Sequence, residues 1–146
     1  MENNILLLGP IFIPAIGAVI GLMLSRRNEL QRYVALAASI GAWLCAMALL
    51  TQNWQATQNG ELAVQIYRLG DWTPPYGIVL VADMLSSFFG VMVTSVVIGG
   101  MLYTVRSIEH SVEYPAFVPL FMLMTVGLNG AFYTGDLFTL FVFIEL

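Results

Sequence analysis

Three acidic residues lie in or beside long apolar segments, where a charge is costly and is therefore a candidate for function. Glu145 is the deepest, because it follows by nine residues Asp136, at which the last apolar segment opens. At the helical rise this places Glu145 roughly 14 Å into that segment, near the centre of a bilayer. Phe138 and Phe141 precede it by seven and four residues, so they share its face of a helix.

The chemistry that this arrangement favours is proton transfer at Glu145. Apolar neighbours disfavour the charged form of a carboxyl group, so such a glutamate can take up and release a proton near neutral pH. The other interpretation is a structural glutamate, either neutral or hydrogen-bonded to a neighbouring helix. Glu145 is thus the main candidate for proton translocation, with Asp83 and Asp136 as weaker ones.

Asp83 and Asp136 each have a structural interpretation as well. Asp83 lies some five residues into the predicted segment 78–105, where it could take up protons, bond to another helix or, if the helix starts later, reach the interface. Asp136 follows Thr134-Gly135 at a predicted helix start, where an acidic residue stabilises the helix terminus. Asp136 and Glu145 are close to half a turn out of phase, so they do not form a file on one helix face.

The composition places these acids in a membrane protein. The 146 residues are 59% hydrophobic and 10% charged, with a mean hydropathy of +0.84. A soluble domain is nearer half apolar and a quarter charged. The five basic residues are all arginine and form no patch that could hold nucleic acid. The chain has one cysteine, one histidine and no phosphate-binding glycine loop, so the sequence predicts no metal, no cofactor and no enzyme activity.

The apolar runs define the predicted fold. A bilayer core needs roughly 20 helical residues to cross it, and four runs are of about that length. A fifth run is only half as long, so we expect a free carboxylate near the midplane and an incomplete chain. The prediction is an all-α integral membrane protein with a single transmembrane domain, residues 1–146. It has four complete transmembrane helices and the first half of a fifth, over residues 4–24, 33–51, 78–105, 115–133 and 136–146.

The arginines predict the orientation in the membrane. The segment Ser25–Arg32 holds three of the five arginines and should be cytoplasmic, which places the N-terminus outside. The loop Arg106–Tyr114 should also be cytoplasmic. Trp72 and Tyr76, before the third run, are predicted to lie at the depth of the lipid headgroups. The expected location is the cell membrane, with several passes through it.

Prolines and glycines in the apolar runs predict how the helices pack. Pro14 follows Pro10 by four residues and should free a backbone carbonyl and bend the first helix. Gly17 and Gly21 form a Gly-x-x-x-Gly pattern that permits close helix approach, and Gly127 should do the same in the fourth run.

Two stretches resemble a known family. The residues GDWTPPYGIVLVADMLSS, starting at Gly70, and VGLNGAFYTGDLFTLFVFIEL, starting at Val126, are similar to the antiporter-like family. That family comprises the large subunits shared by Mrp-type multisubunit Na⁺/H⁺ antiporters and the proton-pumping arm of respiratory NADH–quinone oxidoreductase. The resemblance extends over essentially the whole chain, and the motif that ends at Leu146 is its most specific part and is closest to the Mrp-type members.

The resemblance implies a larger parent bundle, of which this chain is the N-terminal part. Such a parent has about fourteen spans with two inverted five-helix repeats. The family's intramembrane glutamate corresponds to Glu145, and its partner lysine lies on a later span that this sequence does not include.

The implied function is that of a subunit of a monovalent cation (Na⁺)/proton antiporter. Its implied partners are other membrane subunits, the transported H⁺ and Na⁺, and the lipid bilayer. One alternative is a proton-pumping subunit of an NADH–quinone oxidoreductase or a related redox complex. Another is a small membrane scaffold without a transport role.

Overall fold

The computed structural model describes residues 4–71, 77–107 and 116–146. These residues are mostly helical, with a short antiparallel hairpin between the second and third long helices. A 3₁₀ turn covers Ile5–Leu8, and a second one covers Leu69–Asp71 after the first strand. The main elements are α1 (Gly9–Met23), α2 (Asn28–Gln58), β1 (Gln65–Arg68), β2 (Val79–Ala82), α3 (Met84–Ser107), α4 (Phe117–Tyr133) and α5 (Leu137–Glu145).

Three segments of the described chain are long and apolar enough to cross a bilayer: Ile5–Met23, Asn28–Gln58 and Met84–Arg106. Helix α4 is apolar but shorter, with 17 residues. At 1.5 Å per residue it is about 26 Å long, slightly less than the hydrocarbon thickness of a bilayer. The prediction of a helical membrane protein is confirmed in this coarser form.

Small residues allow the helices to approach closely. The largest interfaces join α2 to α3, α1 to α2 and α1 to α4, and α5 packs on α4. A methyl group added at Gly17 would lie 2.8 Å from the Cβ atom of Ala38 in α2. A methyl group at Gly127 would lie 2.8 Å from the carbonyl oxygen of Phe143 in α5. The close approach predicted at these two glycines is therefore confirmed.

The predicted start of the third span, at Ile78, is wrong. Residues 79–82 form strand β2 instead of helix, and they pair with β1 so that Gln65 faces Ala82 and Arg68 faces Val79. The exposure of β2 alternates, because Leu80 and Ala82 are buried while Val79 and Val81 are half-buried. Such a period of two, with β-branched residues, is typical of a strand. Helix α3 begins only at Met84, so the all-helical prediction fails at this hairpin.

The second helix is longer than predicted at both ends. It begins at Asn28 rather than residue 33 and continues to Gln58, so the connection after α1 is only residues 24–27. Arg32, predicted to lie in that connection, is inside α2 and buried. Trp72, Tyr76 and most of the loop Arg106–Tyr114 lie outside the described residues.

The hairpin marks one end of the helical bundle. The Asn4 backbone N–H donates to the Ile66 carbonyl oxygen at 3.3 Å, so the beginning of α1 lies beside β1. Leu80 of β2 forms a β-bridge with Thr134, which follows α4. The Gly135 N–H donates to the Val79 carbonyl oxygen at 2.8 Å. The start of α1, the hairpin and the turn after α4 therefore all meet at this end of the bundle. The chain leaves this end along α1 and comes back along α2, and it leaves again along α3 and comes back along α4.

Candidate functional site

Asp83 is the N-terminal cap of α3. Its Oδ1 accepts a hydrogen bond from the Ser86 backbone N–H at 2.7 Å, and its own N–H donates to Ser86 Oγ at 2.9 Å. This reciprocal pair is a capping box, which satisfies two backbone donors that the helix leaves unpaired. The hydrogen bond from the Ser86 backbone holds the pKa of the exposed Asp83 carboxyl below its ordinary value of 3.8. The structure thus places Asp83 at a helix terminus and not inside a span.

Asp136 caps α5 in a similar way. Its Oδ1 accepts from the Thr139 N–H at 2.7 Å. Burial raises the pKa of Asp136, but the hydrogen bonds from the Thr139 side chain and backbone outweigh burial and lower the pKa below 3.8. Asp83 and Asp136 both lie at the hairpin end of the bundle, since Asp83 follows β2 and Gly135 bonds to it. Both carboxylates serve there as helix caps.

Glu145 lies at the far end of α5 from these caps. One face of α5 packs on α4, where a methyl group at Gly130 would overlap the Phe143 ring. Glu145 is on the opposite face and is exposed, as are Phe138 (77%) and Phe141 (62%). The shared face expected from the sequence is therefore formed, but no described part of the chain covers it. The structure does not bring Glu145 together with Asp83 or Asp136, and its role stays a prediction.

Two buried asparagines were not predicted as site residues, although each is a polar residue in an apolar helix. Asn53 of α2 is fully buried, and the two N–H groups of its Nδ2 are shared among three acceptors: the carbonyl oxygens of Ala82 and Asp83, both at 3.1 Å, and Ser87 Oγ at 2.8 Å. These bonds fix the junction of β2 and α3 against α2. The sequence could have indicated Asn53, because it follows the buried Leu49 by four residues and so lies on the same face of the helix that continues the second apolar run.

The second buried asparagine, Asn129, supplies the hydrogen-bond donor that Pro14 removes from α1. Pro14 has no N–H, so the carbonyl of Pro10, four residues earlier, lacks its helical donor. Asn129 Nδ2 of α4 donates to that carbonyl oxygen at 2.9 Å. The freed carbonyl predicted from the sequence thus has a donor from another helix, as membrane helices require.

These features define a class of protein: a multi-pass helical membrane protein with a hairpin-capped bundle and an uncovered helix face that carries a glutamate. No family model matches the chain. The chain is 34% identical over 144 residues to the D subunit of the Na⁺/H⁺ antiporter of Alkalihalophilus pseudofirmus, covering 99% of the chain and 28% of that protein. It is 35% identical over 143 residues to the D subunit of a probable K⁺/H⁺ antiporter of Rhizobium meliloti, covering 97% of the chain and 26% of that protein.

Two solved structures share the fold. The Mrp complex from Dietzia sp. DQ12-45-1b contains a chain that matches with a TM-score of 0.79 and 26% identity, over 96% of this chain and 24% of that one. The archaeal membrane-bound sulfane sulfur reductase matches with a TM-score of 0.79 and 26% identity, over 97% of this chain and 28% of that one.

The resemblance to the antiporter-like family is therefore confirmed, and three of the similar curated proteins are antiporter D subunits. The chain spans about a quarter of the length of these relatives, since the aligned residues are 28% and 26% of the first two.

Proposed function

We propose that this chain is part of the D subunit of a multisubunit antiporter in the cell membrane, which exchanges Na⁺ or another monovalent cation for protons. The observation that carries the proposal is the similarity of nearly the whole chain to antiporter D subunits, at 34–35% identity. The match to a chain of the Mrp complex supports the same function and favours other membrane subunits as partners. The transport role belongs to the complete protein and its complex.

The proposed arrangement is four transmembrane helices and the beginning of a fifth, with the N-terminus outside. Support for counting α4 as a span comes from the hairpin, which bonds both to the start of α1 and to the turn after α4. Chain segments that meet at the same membrane surface must be separated by an even number of crossings. Two helices lie between the start of α1 and the hairpin, and two more, α3 and α4, lie between the hairpin and the turn after α4. Arg26 and Arg27 lie in the short connection after α1, at the opposite end, which we assign to the cytoplasm.

Within this arrangement we propose Glu145 as the residue that carries the proton. Its support is its depth along α5 and the exposed apolar face that it shares with Phe138 and Phe141. That face is free to pack against a helix outside the described residues, and the resemblance implies a helix that bears a lysine. Asp83 and Asp136 hold helix termini and take a secondary part at most.

The test compares single substitutions in the full-length protein, expressed with its partner subunits in a host that lacks antiporters. Glu145→Gln keeps the size of the side chain but cannot ionise, so Na⁺-dependent and K⁺-dependent proton exchange in everted vesicles should be lost at normal abundance of the complex. Glu145→Asp should retain part of the activity. Asp136→Asn is the matched control, because an amide still caps a helix, and it should exchange at nearly the native rate.

Two results would count against this assignment. Unchanged exchange in Glu145→Gln would show that the proton is carried elsewhere. Loss of the assembled complex from the membrane in Glu145→Gln would instead support the structural interpretation of this glutamate.

A redox-driven proton pump is the second candidate, because the match to the sulfane sulfur reductase complex has the same TM-score as the match to the Mrp complex. The antiporter is preferred because two curated proteins that are 34% and 35% identical to the chain are antiporter subunits. Exchange driven by an imposed pH gradient without any reductant supports the antiporter. Proton movement that appears only after a reductant is added supports the pump.

A further inference from the structure

A groove between α2 and α3 opens on the outside of the bundle, near its hairpin end. Its volume is about 370 Å³, which is in the lower part of the range of small-molecule sites, roughly 300–1,000 Å³. The described residues leave it uncovered, because its two aromatic side chains, Trp54 and Phe88, are 56% and 51% exposed. The groove is lined by about one turn of each helix: Leu50, Thr51, Trp54, Gln55, Met84 and Phe88.

The groove lies at the level where α2 leaves the hydrocarbon layer. With 31 residues α2 is about 46 Å long, whereas the layer is about 30 Å thick, so one end of the helix extends beyond it. Six of the residues 51–58 are polar, which assigns the excess to the hairpin end. Asn53 bonds to the Asp83 carbonyl oxygen and to Ser87 Oγ, so the start of α3 is at the same level. The groove therefore crosses the boundary between lipid chains and headgroups.

The two ends of the groove differ in polarity. Helix α2 runs toward the hairpin and α3 runs away from it, so Leu50 and Phe88 form the end that lies deeper in the membrane. Trp54, Gln55 and Met84 lie nearer the surface. There the Trp54 indole and the Gln55 amide are exposed hydrogen-bond donors. This order suits a phospholipid, because its acyl chain is apolar and its ester and phosphate oxygens accept hydrogen bonds at the interface, where tryptophan is enriched.

The size of the groove favours an acyl chain over a protein helix. A methylene group takes up as much space as a water molecule in the liquid, about 30 Å³, so the groove has room for about a dozen methylene groups. One helical turn with its side chains is about 10 Å across and 5.4 Å long, and thus takes up roughly 400 Å³. A further helix could lie over the groove but not fill it. Helix α5 packs on α4, which is diagonally across the bundle from α2.

The charge near the surface end of the groove favours one kind of headgroup. Asp83 immediately precedes Met84 and is exposed. In the described part of the hairpin the basic residue is Arg68, which faces Val79 at the opposite end of the strand pairing from Ala82. A carboxylate at the edge of the groove repels an anionic headgroup and attracts an ammonium group.

We propose that this groove binds the acyl chain of a zwitterionic phospholipid, phosphatidylethanolamine, from the leaflet on the hairpin side. The Trp54 indole and the Gln55 amide donate to its ester or phosphate oxygens, and its ammonium group lies beside Asp83. The acyl chain is surrounded by apolar groups in the bilayer too, so the polar contacts provide the preference for the groove. The proposal depends on the placement of the chain in a membrane and not on its role in transport.

The first test labels the detergent-purified full-length complex with a phosphatidylethanolamine that carries a photoactivatable diazirine on its acyl chain. Mass spectrometry should find the label several-fold enriched on residues 50–55 and 84–88 over Phe117–Tyr133, because that helix also exposes apolar side chains but does not line the groove. Equal labelling of the three segments would show that the groove does not retain lipid and would overturn the proposal.

Two matched variants test the wall of the groove. Trp54→Ala removes one wall and one donor, so the labelling of residues 84–88 should fall several-fold. Tyr103→Ala is the control, because Tyr103 is also an exposed aromatic residue (68%) but lies outside the groove, and it should leave the labelling unchanged. Labelling that is unchanged in Trp54→Ala, or reduced equally in both variants, would refute the assignment.

The headgroup is tested by competition. Unlabelled phosphatidylethanolamine should displace the labelled lipid at a lower concentration than the anionic phosphatidylglycerol. In Asp83→Asn, where an amide can still cap α3, the two lipids should compete equally. Equal competition in the wild type would contradict the proposed lipid class.

The last test asks what occupies the groove in the native membrane. A benzoylphenylalanine introduced at Thr51 of the full-length protein should cross-link to phospholipid when cells are irradiated. A cross-link to another segment of the protein or to another subunit would show that a helix covers the groove, and the proposal would be wrong. None of these measurements involves ion exchange, so a negative result here leaves the proposed function untouched.

Discussion

Gly130→Ala should weaken the packing of α5 on α4 and thereby displace the helix that carries Glu145. A methyl group at Gly130 would overlap the Cγ, Cδ1 and Cε1 atoms of Phe143. Cγ is joined directly to Cβ, so the ring cannot leave this contact unless the side chain changes rotamer or α5 moves. We therefore expect a shift of α5, and with it a lower rate of cation-dependent proton exchange.

The size of the effect follows from two opposing contributions. Overpacking a close contact costs about 1–3 kcal/mol. Alanine in place of glycine within a helix recovers about 1 kcal/mol. The net loss of stability in Gly130→Ala should therefore be about 0–2 kcal/mol, toward the upper end because three ring atoms are overlapped. Gly99→Ala on α3 is the matched control, because no atom of the described residues lies within 4 Å of the added methyl group, and the helix-propensity gain is the expected effect.

The assay is thermal melting of the purified full-length complex, followed by exchange in vesicles. Gly130→Ala should melt below the wild type and Gly99→Ala at or above it. In a Phe143→Ala background the cost of Gly130→Ala should disappear, because the clashing ring atoms are gone. Equal melting temperatures for Gly130→Ala and Gly99→Ala would show that α4 and α5 do not pack as described.

Two further predictions concern the acid caps and the topology. Asp83 has a lowered pKa in the folded protein, so its contribution to stability is complete above its ordinary pKa of 3.8 and is lost as the pH falls through the lower, folded-state pKa. When the pH is lowered from neutral to below 3.8, the melting temperature of Asp83→Asn should therefore fall less than that of the wild type. An identical fall in both proteins would contradict the capping role. In a background without Cys45, a membrane-impermeant maleimide applied to intact cells should label Gln58→Cys and not Ser25→Cys. The reverse pattern would place the N-terminus inside.

The apolar runs were sufficient to predict α1, α2 and α4, because length and hydropathy alone define a membrane helix. They failed at Ile78-Val79-Leu80-Val81-Ala82, since a short continuous apolar run fits a buried strand as well as a helix. The run forms a strand because it pairs with β1 and because Asn53, 29 positions earlier in the sequence, donates a hydrogen bond to the Ala82 carbonyl. Such pairings are tertiary and cannot be read from a local pattern.

The candidate site shows the same limit. Asp136 was identified as a helix cap because a cap depends on residues within one turn of it. The role of Asp83 stays open between three alternatives at the level of sequence, because it depends on where the strand ends and α3 begins. The bond between Asn129 and Pro10 joins residues 119 positions apart, so the sequence could indicate the unpaired carbonyl at Pro10 but not its donor.

The proline in α1 also has a consequence for the order in which the protein is made. While α1 and α2 are the only spans in the membrane, the Pro10 carbonyl has no donor from its own helix, and an unpaired polar group in hydrocarbon costs several kcal/mol. The donor is on α4, which the ribosome delivers more than a hundred residues later. We therefore expect α1 to stay close to the insertion machinery or to water until α4 arrives. Release of the first helix into lipid would then be coupled to synthesis of the fourth.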